Sequence, residues 1–181
     1  MKKGSKIPSD MDKVDSQGHY MNARSYIESI FVMMLSQARF NLKDDFPLSI
    51  TTMFLGGFAI ELYLKAYLRN KKINAGDIKT HDLERLFSLC RKNGFKSEDD
   101  SKIKTLIGLF SETHKKGQFR YFDIGKDNYR ICSLPFFFDW FTILDDAVSE
   151  TLDTIERRPG IYWGWRYPID KLPDWRFRDS E

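Results

Sequence analysis

Gly57-Phe58-Ala59-Ile60-Glu61-Leu62-Tyr63-Leu64-Lys65-Ala66-Tyr67-Leu68 is the stretch on which the fold turns. From Ile50 to about Asn70 there is no proline, and apolar side chains point nearly all round, the pattern of a helix at the buried centre of a bundle. Gly56 and Gly57 each cost about 1 kcal/mol relative to alanine inside a helix, a cost offset where a second helix approaches closely. Close packing or an interface is therefore expected there. Glu61, Lys65 and Arg69 recur at i, i+4 and i+8 and share one stripe of this otherwise apolar helix. A Glu61–Lys65 pair on a surface stabilises by only a few tenths of a kcal/mol, whereas charges inside a central helix need partners and can carry chemistry.

Outward from this helix, the spacing predicts four more. Upstream, Tyr26, Ile27, Ile30, Phe31, Met34, Leu35 and Ala38 repeat at three and four residues between Tyr20 and Leu42. Asp44, Asp45 and Pro47 then break the pattern. Downstream, Thr80 is read as the cap of a third helix that starts at His81 or Asp82, carries Leu83, Leu86, Phe87 and Cys90, and stops at Asn93-Gly94. Ser97 with Glu98, Asp99 and Asp100 opens a fourth, running through Ile103, Leu106, Ile107, Leu109 and Phe110 to about His114. Pro135 opens a fifth, expected from Phe136 to about Arg157 and stopped by Pro159.

The expected organisation is an all-α, five-helix, up-and-down bundle over residues 19–157. A polar arm precedes it at residues 1–18, and an irregular aromatic extension follows at 158–181. At 181 residues one domain is the expectation. With 41% hydrophobic and 30% charged residues the chain is not intrinsically disordered. No apolar stretch reaches the roughly 18 residues of a membrane span, so a soluble, cytoplasmic protein without membrane contact is expected. Two cysteines, Cys90 and Cys132, form no CxxC and are read as reduced.

Phosphate-binding glycine loops, HExxH and GxSxG are absent, which argues against P-loop, zinc-hydrolase and serine-hydrolase chemistry; no metal centre and no cofactor are expected. His81 beside Asp82 at a helix start is the candidate general base, or else it caps the helix or bonds a backbone carbonyl. His19 and His114 stand in ordinary polar settings. Lys115, Lys116, Gln118, Phe119, Arg120 and Tyr121 form a basic, aromatic segment able to hold phosphate and stack a base, or to close over the bundle. The candidate nucleotide- or RNA-binding set is Glu61, Lys65, Arg69, His81, Arg120 and Tyr121, with Glu61 orienting the others. Three of the four tryptophans lie in the last 25 residues among arginines, and three prolines forbid a helix there. That segment is read as an extended strap.

The pairing of Ala59-Ile60-Glu61-Leu62-x-Leu64-Lys65-Ala66 with Thr80-His81-Asp82-Leu83-x-x-Leu86 resembles the HEPN superfamily, named for nucleotide binding in higher eukaryotes and prokaryotes. The resemblance covers roughly residues 20–157. It implies an all-helical bundle, frequently a homodimer, associated with nucleotides or RNA. It also implies partners such as a nucleotidyltransferase or an antitoxin, in toxin–antitoxin or antiviral defence systems. The family's ribonucleases carry an arginine followed, after four to six intervening residues, by a histidine. Here no arginine stands at that distance before His19, His81 or His114. The departure points to a non-catalytic accessory protein. The alternatives are a metal-independent ribonuclease using His81 and a helical protein–protein interaction module.

Overall fold

A computed structural model describes residues 15–40, 46–117 and 135–152. Five helices follow one another: α1 Ser16–Phe40, α2 Phe46–Asn70, α3 Leu83–Lys92, α4 Asp100–Lys115 and α5 Pro135–Ser149. No strand occurs among the described residues. α2 packs against each of the other four, and Ala59, Ile60, Tyr63, Leu64, Ala66, Tyr67 and Leu68 are almost wholly withdrawn from solvent around its circumference. The all-α bundle with α2 at its centre is therefore as the apolar pattern predicts.

The two glycines of α2 admit its neighbours. A Cβ on Gly56 would lie 2.8 Å from the ring of Phe110, and one on Gly57 would lie 2.6 Å from His114 Nδ1. Both partners belong to α4, so its close approach to α2 depends on the missing side chains.

The helix ends differ from expectation in instructive ways. α1 begins at Ser16, ahead of Tyr20, because the Asp15 carboxylate accepts from the Gly18 N–H and closes the first turn. α2 begins at Phe46, with Pro47 accommodated in its first turn, where no N–H is needed. Asp82, not Thr80, caps α3 by accepting from the Arg85 N–H, while Thr80 Oγ1 accepts from the Asp82 N–H and holds the turn before it. Asp99, not Ser97, caps α4 through Ser101 and Lys102 N–H groups, and Ser97 donates to Asp100. α5 ends at Ser149, well before Arg157. There the Thr151 N–H turns back to the Val148 carbonyl, and the Ser149 and Thr151 hydroxyls donate to preceding carbonyls, competing with helical continuation.

The stop after α3 is as expected. Gly94 takes φ +87°, its N–H bonds Arg91 O, and the Phe95 N–H bonds Cys90 O. α2 ends in the same way with Lys72 at φ +60°, a conformation that favours glycine. Cys90 is buried and free. Cys132, the 118–134 segment with Arg120 and Tyr121, and the 158–181 extension lie outside the described residues.

Candidate functional site

The site grows from a single carboxylate on α2. Glu61 is buried, and its two oxygens serve different partners. Oε1 accepts from Lys65 Nζ at 2.6 Å, one turn along the same helix. Oε2 faces His81 Nδ1 at 2.9 Å, from the loop ahead of α3, and His114 Nε2 at 2.6 Å, from the last turn of α4. Three elements thus meet on one side chain. His114 lies on the buried stripe of α4 one turn after Phe110, and the space beside Gly57 lets its ring sit against α2. Phe58 meets the His114 ring edge to face at 4.9 Å. The Asp82 cap fixes the start of α3, and Lys115 reaches its other oxygen at 2.6 Å, tying the end of α4 to the residue next to His81.

The electrostatics follow from the geometry. Burial alone would raise the Glu61 carboxyl. Hydrogen bonding from His114, the charge and hydrogen bond of Lys65, and the bond from His81 outweigh it and hold the group at about 2. Glu61 is therefore ionised at neutral pH and can only accept. Both imidazoles must donate to it, His81 through Nδ1–H and His114 through Nε2–H. Glu61 and Lys65 cancel in charge. Glu61 and His114 side chains are each 4% exposed, but that of His81 is 54% exposed. A neutral His81 that donates Nδ1–H to Glu61 retains its Nε2 lone pair, the arrangement in which a carboxylate orients an imidazole for proton transfer or for accepting a ligand's hydrogen bond.

Of the six residues expected at the site, Glu61, Lys65 and His81 come together. Lys65 is only 3% exposed and spends its charge on Glu61, so it neutralises the carboxylate instead of presenting a cation to solvent. Arg69 lies a turn further along α2. Its charge and that of Lys65 follow burial in pushing the His19 imidazole below its usual range. Arg120 and Tyr121 fall outside the described residues. Lys115 and Lys116, expected in a basic loop, are the last residue and the C-cap of α4, and they pair with Asp82 and Glu112.

Two histidines overturn the expectation of ordinary polar settings, since His19 and His114 are both buried. His114 joins the site because the apolar stripe Ile103, Leu106, Ile107, Phe110 carries on into it, so the 3.6-residue period was the signal that marked it as core-facing. One possible ligand atom from each of Glu61, His81 and His114 lies within 4.8 Å of the other two.

A second buried polar group joins α1, α2 and α5. Tyr63 donates to Asp145 at 2.9 Å, and Arg24 lies 3.7 Å from the same oxygen. Burial raises the Asp145 carboxyl above its ordinary range despite Arg24. Tyr63 supplies Asp145 with a hydrogen bond, and Arg24 supplies it with an opposite charge.

Compared with known families, residues 34–130, more than half of the chain, match the model described as HEPN domain. The matched span includes Glu61, Lys65, His81 and His114. No curated protein and no solved structure matches the chain.

Proposed function

This chain belongs to the HEPN domain family, and from that premise we propose that it is a nucleotide- or RNA-associated accessory protein that receives a phosphate-bearing ligand on the exposed side of the Glu61 cluster. The observation that carries the reading is the posture of His81, anchored from within through Nδ1 while its side chain is 54% exposed. Once protonated, such an imidazole gives a phosphate oxygen a charge-assisted donor, and the Glu61 carboxylate stabilises the charge it acquires. Exposed Lys79 and Arg85 flank it in sequence, and Lys115 reaches Asp82 beside it, adding positive charge near the rim. A homodimer, a nucleotidyltransferase or antitoxin partner, and a place in toxin–antitoxin or antiviral defence belong to this proposal as what the family resemblance implies.

Cleavage of RNA without metal is the second reading. It is favoured by the same Glu61–His81 pair, which suits Nε2 to take a proton from a ribose 2′-hydroxyl, and opposed by the missing arginine ahead of each histidine. One experiment separates the two. Fluorescence anisotropy with a labelled single-stranded RNA, and competition by a nucleoside triphosphate, are measured for the native chain and His81→Ala. Gels of the same mixtures in EDTA report cleavage. Binding weakened about tenfold or more in His81→Ala, the loss of one charge-assisted bond, with intact RNA, supports the accessory reading. His81-dependent fragments support the nuclease. Unchanged affinity together with intact RNA overturns both.

A further inference from the structure

The geometry points to a transition-metal site in which Glu61 Oε2, His81 Nδ1 and His114 Nε2 are the three protein ligands of a divalent cation of the zinc, cobalt or nickel kind, with a further coordination position open to solvent beside His81. The inference goes beyond the phosphate-binding reading and does not depend on it.

Donor type and placement carry the argument. Two imidazole nitrogens and one carboxylate oxygen from three separate elements converge within 4.8 Å, and two nitrogens with one carboxylate is a recurrent set for zinc sites that keep a position free. Donor atoms about 2.0–2.1 Å from a tetrahedral ion stand roughly 3.3 Å apart. The present separations of 2.9 Å and 2.6 Å from Oε2 are somewhat shorter, as hydrogen bonds require. Entry of the ion requires each imidazole to bind as its other neutral tautomer, the proton on the nitrogen facing Glu61 being released to solvent and the opposite nitrogen taking one up, and it moves Oε2 and the rings apart by several tenths of an ångström. His81, in a loop and more than half exposed, is the member free to make that adjustment and to admit the ion. The framework around the other two is already fixed: Lys65 holds Oε1, leaving Oε2 as the ligand atom, and His114 is wedged between Gly57 and Phe58.

Lys65 also sets selectivity. Its ammonium cancels most of the attraction that the carboxylate exerts on a cation, so binding must come from the imidazoles. Imidazole favours zinc, nickel and cobalt, whereas magnesium and calcium require several oxygen ligands that this cluster does not offer.

The test uses the tag-free full-length chain stripped with EDTA. Cobalt(II) is titrated in while its visible d–d absorption is followed, and zinc is then added as a competitor. One cobalt per chain, a spectrum of low-coordinate cobalt with nitrogen ligands, displacement by stoichiometric zinc and indifference to millimolar magnesium are the expected results. His81→Ala, whose exposed ring leaves the core intact, is expected to weaken cobalt binding by about 100-fold, with unchanged circular dichroism and thermal midpoint in the absence of metal. His114→Gln serves as a second variant and is expected to abolish the spectrum. Absence of the cobalt spectrum, displacement by magnesium, or affinity that His81→Ala leaves unchanged overturns the site. Because no RNA or nucleotide is present, failure here leaves the phosphate-binding reading standing, and the reverse also holds.

Discussion

Gly57→Ala is expected to destabilise the protein even though alanine is the better helix former. In an unobstructed helix the substitution is worth about 1 kcal/mol in favour of alanine. At this position the new methyl lies 2.6 Å from His114 Nδ1 and 3.2 Å from its Cγ, about 0.8 Å inside ordinary van der Waals contact. Behind the ring Nε2 is tied to Glu61 at 2.6 Å, so it cannot retreat without deforming that bond. Loss of a hydrogen bond to a charged group costs about 1.5–3 kcal/mol. The net expectation is a loss of about 0.5–2 kcal/mol, a fall in Tm of roughly 1–8 °C for a chain of this size. Gly108→Ala is the internal control. Gly108 lies on α4 with nothing within 4 Å of its would-be Cβ, so that variant is expected to gain up to about 1 kcal/mol and raise Tm by roughly 2–4 °C. Differential scanning calorimetry of both variants checks the pair. If Gly57→Ala is stabilised as much as Gly108→Ala, His114 does not pack against α2, and the assembly of the site around Glu61 is refuted.

Glu61→Gln is expected to cost about 3–5 kcal/mol, because it leaves the Lys65 ammonium buried without its counter-charge; adding Lys65→Met should restore most of the loss in urea unfolding. The Glu61 carboxyl sits at about 2 in the folded chain against 4.5 when free. Its stabilisation is therefore complete above pH 4.5 and disappears as pH falls towards 2, an effect on the order of 3 kcal/mol that the Glu61→Gln variant must lack. For His19, burial and then the Lys65 and Arg69 charges depress the imidazole below 6.5. The unfolded chain takes up a proton there that the folded chain refuses, so stability declines as pH drops below 6.5, and unfolding midpoints across that range should flatten in His19→Gln. Lys72 holds φ +60° at the end of α2, so Lys72→Gly is expected to raise stability by about 1 kcal/mol, and a destabilised variant would show that the lysine side chain contributes there.

The helices are legible because each is written by a local period and its stop signals. Gly94 is an example, since a glycine after Asn93 is the residue that a left-handed helix end requires, and the chain takes φ +87° there. The glycine pair of α2 is legible for a similar reason: its cost in a helix interior demands a neighbour, and Phe110 and His114 are that neighbour. The caps are less so. In Thr80-His81-Asp82 and Ser97-Glu98-Asp99 several residues can cap, and a choice among adjacent positions depends on backbone angles that the composition of a turn does not specify. His114 stayed hidden for a different reason. It stands 53 positions from Glu61, and between Thr113 and Lys115 it reads as the solvated end of a helix unless the apolar stripe is continued one step past Phe110. A carboxylate with three partners is a tertiary object. Glu61 and Lys65 are neighbours by helical spacing, while the imidazoles arrive only when α3 and α4 pack on α2.

Whether the cluster serves folding or function turns on His81. A buried ion pair with satisfied hydrogen bonds is energetically close to an apolar replacement of the same shape, so the cohesion of Glu61, Lys65 and His114 accounts for no more than a well-made core. His81 differs because it brings no comparable burial: its side chain is 54% exposed, and its one described bond is to a carboxylate that already has two other partners. An exposed hydrogen bond of this kind adds on the order of 1 kcal/mol or less to stability. Removing His81 should therefore leave the fold nearly as stable as before while deleting the one member of the cluster that a ligand can touch. Equal stability with lost ligand or metal binding assigns the cluster a function. A large loss of stability in His81→Ala instead would make His81 a strut, and the rest of the cluster would then be explained by packing alone.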